Sequence, residues 1–186
     1  SVQLINCHQK GALSSLRQMK SLDGLKSRVV SPGFALFAIL ALFVTAKFFF
    51  LLKYHLPGWD ESVYLAMGKY IYSGASSGLW EMIRPPGLPV LLGGIWKLGI
   101  PYIFFSEVAA LGFGIGSIAL TFSLARKLFN GSVAVLAAAL LAASPAFFYH
   151  SSSVLTEIPS AFFALAAVYL FISKKYCASG ALVAVA

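Results

Sequence analysis

The sequence predicts an all-α, polytopic transmembrane protein. Apolar residues make up 59% of the chain and charged residues only 11%, whereas a soluble globular domain carries roughly 25% charged residues. The apolar runs are also far longer than the ~10 residues of a transmembrane barrel strand. Because lipid offers no partner to an open sheet edge, the spanning elements are expected to be helices.

Four apolar runs are long enough to cross ~30 Å of hydrocarbon as helices. They are residues 34–52, 104–125, 132–149 and 155–172, and a further run begins at 178–186. A shorter run, 87–100, contains Pro89, Gly93, Gly94 and Lys97. That length and composition favour an interfacial or re-entrant segment over a span.

The basic residues set the expected orientation. If 87–100 does not cross, the amino-terminal segment 1–33 and the Arg126-Lys127 and Lys174-Lys175 turns all lie in the cytoplasm, which places nine of fourteen basic residues there. If it does cross, both later turns violate the positive-inside rule. We therefore expect a transmembrane module over 34–186 with two outer loops, 53–103 and 150–156, most simply in a prokaryotic plasma membrane.

The net charge of +8 needs no nucleic-acid partner, because the basic residues form short clusters between apolar runs, where topology explains them. Cys7 and Cys177 lie in or beside these basic segments, so no disulfide or metal framework follows. The chain begins at Ser1 and stops inside an apolar stretch at Ala186. We interpret it as the amino-terminal part of a longer protein, incomplete at its carboxy terminus.

Two adjacent carboxylates, Asp60 and Glu61, follow Pro57, Gly58 and Trp59 just beyond the first span. Asp60 could cap a short helix from residue 61 to about 73, since a carboxylate there accepts backbone N–H bonds. The alternative is a functional carboxylate, acting as a general base or a metal ligand.

Arg84 precedes Pro85 and Pro86, which fix the backbone beside the cation. A guanidinium held at the membrane surface is suited to a lipid phosphate, which it can bind through paired N–H donors. The alternative is an ordinary interfacial anchor.

Glu157 stands at the outer end of the fourth span, with Pro159 in the first helical turn. A carboxylate at a helix start has a dipole explanation, but one so close to hydrocarbon is expensive without a partner or a role. His150 begins the same loop and is either an interfacial residue or a ligand.

Gly112, Gly114 and Gly116 form a GxGxG pattern inside a span. No strand precedes it, so the pattern indicates close helix packing and not a dinucleotide site.

Four stretches in this order resemble the C-type (GT-C fold) membrane glycosyltransferases, in particular the protein-mannosyltransferase and aminoarabinose-transferase branch. They read WDESVYLAMGKYI, RPPGLPVLLGGIWKLGI, ARKLFNGSVAVLAAALLAASP and LTEIPSAFFALAAVYLF. The resemblance implies a donor sugar carried on a polyprenyl or dolichyl phosphate and transfer to a protein, lipid or glycan hydroxyl on the non-cytoplasmic face.

The same resemblance implies roles for individual residues. Asp60, Glu61 and Glu157 become the catalytic acidic residues, and a divalent cation could bridge Asp60 and Glu157. Arg84 would meet the donor phosphate, and Tyr64, in the first stretch, and His150 would contact substrate. The competing interpretations are a transporter or flippase of lipid-linked intermediates and a non-catalytic homologue that keeps the fold.

Overall fold

The computed structural model describes residues 31–53 and 57–184. The expected cytoplasmic segment 1–33 and the end of the 178–186 run lie largely or partly outside these residues. Within them every regular secondary-structure element is a helix, and loops connect the helices. The helices are α1 (Pro32–Lys53), α2 (Trp59–Tyr72), α3 (Gly87–Lys97), α4 (Tyr102–Leu128), α5 (Gly131–Ala143), α6 (Pro145–His150), α7 (Glu157–Ile172) and α8 (Tyr176–Val183).

Two of these helices, α1 and α4, are long and apolar enough to cross a membrane, with 22 and 27 residues. They match the expected runs 34–52 and 104–125 to within three residues at each end. The apolar helices α5 and α7 are shorter, with 13 and 16 residues. The 11-residue α3 extends about 16 Å at 1.5 Å per residue, too short to cross ~30 Å of hydrocarbon.

The expected run 132–149 is divided into two helices. Ser144 adopts an extended conformation with ψ of 121°, and its Oγ accepts a hydrogen bond from the backbone N–H of Phe147. Pro145 then occupies the first position of α6. A residue before proline is disfavoured in the helical region, and serine followed by proline is a strong helix start. The interruption between α5 and α6 follows from these two residues.

The long helices pack as neighbours, and α4 and α7 run in the same direction. α4 contacts α1, α5 and α7, and α1 contacts α5. Lys127 Nζ, at the end of α4, lies 2.6 Å from Ser173 Oγ, just after α7. Ends of α4 and α7 therefore meet, and with them the basic residues at 126–127 and 174–175. We call this the basic end of the bundle.

The short helices α2 and α3 pack against each other through glycine. A Cβ placed on Gly68 would lie 2.7 Å from the backbone N of Gly93, and a Cβ placed on Gly93 would lie 2.5 Å from the carbonyl O of Gly68. The two backbones therefore touch directly, as helices with small residues at their interface can. The hydroxyl of Tyr102, the first residue of α4, donates to the carbonyl O of Leu65 at 2.8 Å, so α2 contacts the end of α4 that is opposite the basic end.

Candidate active site

The amino terminus of α2 is capped by Glu61 and not by Asp60. Gly58 is the N-cap residue, and its backbone N–H donates to Glu61 Oε2 at 2.7 Å, the reciprocal half of a capping box. The expectation that Asp60 caps this helix was therefore wrong. The reason is register: the helix begins two residues earlier than expected, which puts Glu61 at the third helical position and leaves Asp60 free to point elsewhere.

Asp60 instead forms an ion pair with Arg84. The Arg84 guanidinium donates from Nη2 to Asp60 Oδ1 and from Nε to Glu81 Oε2. Its Cζ lies 4.9 Å from the centre of the Tyr64 ring, which supports the planar cation from one face. The Arg84 side chain is 19% exposed while that of Asp60 is 60% exposed. The arginine is thus held inside a cluster whose carboxylate faces outward.

The two carboxylates stabilise the charged guanidinium. Hydrogen bonds to Asp60 first and Glu81 second raise the pKa of Arg84 above its ordinary value. Arg84 therefore stays charged at any pH at which the protein is folded. The sequence does not single out Glu81, because its spacing from Arg84 within an irregular loop follows no motif.

The loop 151–156, between α6 and α7, is tied to α2 at two points. The backbone N–H of Val154 donates to Glu61 Oε1 at 2.9 Å. The hydroxyl oxygens of Tyr64 and Thr156 lie 3.5 Å apart. Both Glu61 oxygens thus accept backbone N–H groups, one from its own helix and one from this loop. The loop is held against the helix that carries Asp60.

Glu157 follows this loop directly as the first residue of α7. It is exposed, and among the described residues its carboxylate has no hydrogen-bond or ion-pair partner. His150 ends α6 at the other side of the loop, and its Nδ1 is buried without a hydrogen-bond partner in the described part of the chain. Direct contacts therefore join Asp60, Tyr64 and Arg84, whereas Glu157 and His150 border the loop that Tyr64 reaches.

An apolar cavity of about 530 Å³ begins immediately after Arg84. Its wall starts with Pro85 and Pro86 and reaches Thr156 on the other side. The rest of the lining comes from α3, α4, α7 and the residue after α8: Gly87, Leu88, Leu91, Phe113, Pro159, Ser160, Phe163 and Ala184. Arg84 and Glu157 do not line this cavity themselves, but each is next in sequence to a residue that does, Pro85 and Thr156 respectively.

A metal site would need several His, Cys, Asp or Glu side chains close together. No three His, Cys, Asp or Glu side chains come together within residues 31–53 and 57–184. Asp60 is engaged by Arg84. In the described part of the chain these side chains therefore do not form a metal site.

The GxGxG stretch in α4 makes the close packing that its pattern predicts at two of its three glycines. A Cβ on Gly114 would lie 2.9 Å from Ser151 Cβ, and one on Gly116 would lie 2.5 Å from the Phe162 ring. At Gly112 nothing lies within 4 Å. Gly114 thus lets α4 approach the loop 151–156, and Gly116 lets it approach α7.

Comparison with known proteins identifies one family. The sequence model of the family described as dolichyl-phosphate-mannose-protein mannosyltransferase matches residues 83–186, more than half of the chain. No curated protein and no solved structure matches. The matched region includes Arg84 and Glu157 and begins after α2, the helix of Asp60. The chain therefore belongs to the dolichyl-phosphate-mannose-protein mannosyltransferase family and is a membrane glycosyltransferase of that type.

Proposed function

We propose that this protein transfers a sugar from a polyprenyl- or dolichyl-phosphate-linked donor to an acceptor hydroxyl of a protein, lipid or glycan on the non-cytoplasmic face. The observation that carries the proposal is the placement of Arg84, a guanidinium held beside Asp60 and followed directly in sequence by two residues that line an apolar cavity, Pro85 and Pro86. A lipid phosphate needs a cation and its isoprenoid chain needs an apolar wall, and here the two are consecutive in sequence.

The donor would lie with its phosphate at Arg84 and its first isoprene units against Pro85, Pro86 and Leu91. A guanidinium binds phosphate through two parallel N–H bonds. In the described contacts Nε donates to Glu81 and Nη2 to Asp60, so a bidentate phosphate contact requires at least one of these bonds to be exchanged. Tyr64 holds the guanidinium plane from one face, which keeps these donors oriented.

The net negative charge of Asp60, Glu81 and Arg84 together affects how the donor phosphate can bind. One guanidinium shared by Asp60 and Glu81 gives a cluster with an excess of negative charge. A phosphate will not add to such a cluster without displacing a carboxylate, because like charges at contact distance repel. We expect the donor phosphate to take the place of Asp60, the more exposed of the two at 60% against 43%.

This exchange would produce the base when it is needed. Asp60, released from Arg84, accepts the proton of the acceptor hydroxyl as its oxygen forms a bond to the anomeric carbon of the sugar. The bond from that carbon to the phosphate oxygen breaks, and the polyprenyl phosphate leaves with its negative charge at Arg84. Binding of the donor and activation of the base are then one event.

The other expected residues receive supporting roles. Glu157, exposed and unpaired among the described residues, is placed to accept hydrogen bonds from hydroxyls of the sugar or the acceptor. His150, whose Nδ1 has no partner within the described chain, would contact the acceptor side of the loop. Glu61 is a positioning residue in this proposal, because both of its oxygens accept backbone N–H groups. A divalent cation between Asp60 and Glu157 stays a prediction of the sequence resemblance.

The test compares two isosteric changes on either side of the same guanidinium, Asp60→Asn and Glu81→Gln, in the purified protein with a polyprenyl-phosphate-linked sugar. Asp60→Asn should lower kcat by about 100-fold or more, the usual contribution of a general base. Glu81→Gln should keep kcat and lower KM for the donor, because it removes negative charge beside the phosphate site. Each variant is the other's control for the loss of one ion pair.

Near-normal turnover by Asp60→Asn would contradict the assignment of the base. An unchanged KM in Glu81→Gln would contradict the exchange. A wild-type protein that binds the lipid-linked donor without transferring sugar to any acceptor would be the non-catalytic homologue.

A further inference from the structure

Lys47 is a charged residue enclosed within the apolar part of the bundle. It lies in α1, six residues before the helix ends, and it is 0% exposed. A lysine within a spanning helix is expensive, and such residues are retained where they pair with other groups or serve a function. No residue of the proposed active site touches it in the described structure, so the reason for its presence lies elsewhere.

Its ammonium group is directed at the chain between α6 and α7. Nζ donates to Ser152 Oγ at 3.0 Å and to the carbonyl oxygen of Tyr149 at 3.3 Å. Tyr149 is in the last turn of α6, where carbonyl groups lack helical partners and carry partial negative charge. The remaining surface of the ammonium faces aromatic rings, with Phe148 at 4.4 Å and Phe50 at 5.1 Å from their centres.

The loop 151–156 is consequently held by two different helices, α1 and α2. Lys47 fastens its beginning at Ser152, and Glu61 fastens its middle at Val154. The residues that follow these attachments are Thr156, which faces Tyr64, and Glu157. Ser151, Ser152 and Val154 are all buried, so both attachments are made to buried parts of the loop.

We propose that Lys47 is a positioning residue, which sets the loop 151–156 against α2 and thereby fixes where Thr156 and Glu157 stand relative to the helix that carries Asp60. This inference rests on the proposed function, in which Asp60 and Glu157 act on the sugar and its acceptor. Lys47 touches neither donor nor acceptor in it. A misplacement of about 1 Å at a catalytic group can cost on the order of 100-fold in rate, so a distant attachment of this kind has a measurable effect on turnover.

The experiment uses the protein in lipid nanodiscs with Lys47→Met, Lys47→Arg and a packing control, Phe43→Leu. Methionine keeps the apolar stem and removes the donors, whereas arginine keeps the charge and the donors. Phe43 lies one turn earlier, is 4% exposed and contacts the Phe147 and Phe148 rings, so its truncation loosens the same aromatic cluster without removing a hydrogen bond to the loop.

Two quantities are measured, sugar-transfer kinetics and amide hydrogen exchange of the peptide that contains 151–156. Lys47→Met should lower kcat by about 10- to 100-fold with KM for the donor within about threefold, because the cavity and Arg84 are untouched. Exchange of 151–156 should accelerate selectively. Lys47→Arg should restore most of both quantities, and Phe43→Leu should leave exchange of 151–156 close to that of the wild type.

Three results would overturn the inference. Lys47→Met could leave both kcat and the exchange of 151–156 within twofold of wild type. Its faster exchange could extend equally over all helices, as expected of a lysine that only fills the core. Lys47→Arg could fail to restore the selective protection. Absence of transfer in the wild-type protein would count against the proposed function instead, and the exchange measurement would still decide whether Lys47 holds the loop.

Discussion

The contact between Gly68 and Gly93 gives a sharp test of how the active site is assembled, through the substitution Gly93→Ala. The added Cβ would lie 2.5 Å from the carbonyl O of Gly68 and would also overlap the Tyr72 ring. Ordinary contact begins at 3.4 Å, so α2 and α3 must separate by about 0.9 Å along that direction (3.4 − 2.5). Backbone lies on both sides, so no flexible side chain can absorb the shift.

The separation has two expected effects. Overpacking of this kind costs about 1–3 kcal/mol, which lowers the unfolding temperature of the protein. It also moves the helix that carries Asp60 relative to the segment that carries Arg84, because α3 begins three residues after Arg84. A displacement near 1 Å at a catalytic pair lowers turnover by up to about 100-fold.

The neighbouring glycine supplies the control. A Cβ on Gly94 would meet only the Tyr72 hydroxyl at 3.7 Å, an ordinary contact. Gly94→Ala should therefore be neutral or stabilise α3 by up to about 1 kcal/mol, because alanine has the higher helix propensity. The assay is thermal unfolding and sugar transfer for both variants. If Gly93→Ala and Gly94→Ala have the same unfolding temperature and the same rate of sugar transfer, the direct backbone contact between α2 and α3 is refuted.

Three further predictions concern the rest of the bundle. Gly116→Ala should destabilise the protein by about 1–3 kcal/mol, because the added Cβ meets the ring of a phenylalanine on α7. Gly112→Ala is the control, because the space around Gly112 is open, and it should not destabilise the protein. Thermal unfolding of the two variants makes the comparison. Glu61→Gln should cost about 1–3 kcal/mol and accelerate exchange of the loop 151–156, because one amide cannot accept both backbone N–H groups. A membrane-impermeant maleimide added to intact cells should label Ser76→Cys in a protein whose native cysteines, Cys7 and Cys177, are replaced. It should not label Cys177 in a protein that has no other cysteine. Labelling of Cys177 without labelling of Ser76→Cys would show the opposite orientation.

The long helices could be predicted from the sequence because their signal is local. A run of apolar residues marks α1 and α4 wherever their partners lie, and their observed ends agree with the expected ones to within three residues. The interruption at Ser144 and Pro145 was missed although its signal is also local. Hydropathy averages over a polar serine and a single proline, whereas helix capping depends on those two residues alone.

The site was only partly predictable. Charge and prolines identified Asp60 and Arg84 separately, and the structure places them in contact. Their pairing depends on the glycine contact between α2 and α3, and the sequence shows Gly93 only as a weak helix former. The capping role of Glu61 had a readable signal, since Gly58 and Glu61 have capping-box spacing. The partners of Lys47 are more than 100 residues away along the chain and leave no local pattern.

The connections between α2 and the rest of the chain bear on how far the glycosyltransferase module extends. The family match begins at residue 83, so by sequence alone α2 stands outside it. Among the contacts that join α2 to the matched region are these four: Asp60 with Arg84, Glu61 with Val154, Tyr64 with Thr156, and Gly68 with Gly93. They differ in kind, comprising an ion pair, a capped amide, a hydroxyl contact and a backbone contact, and they reach three different segments of the chain. A helix attached in these ways cannot move as an independent unit without breaking all four contacts. We therefore propose that α2 belongs to the same module, and the acid it carries pairs with the arginine that the matched region supplies.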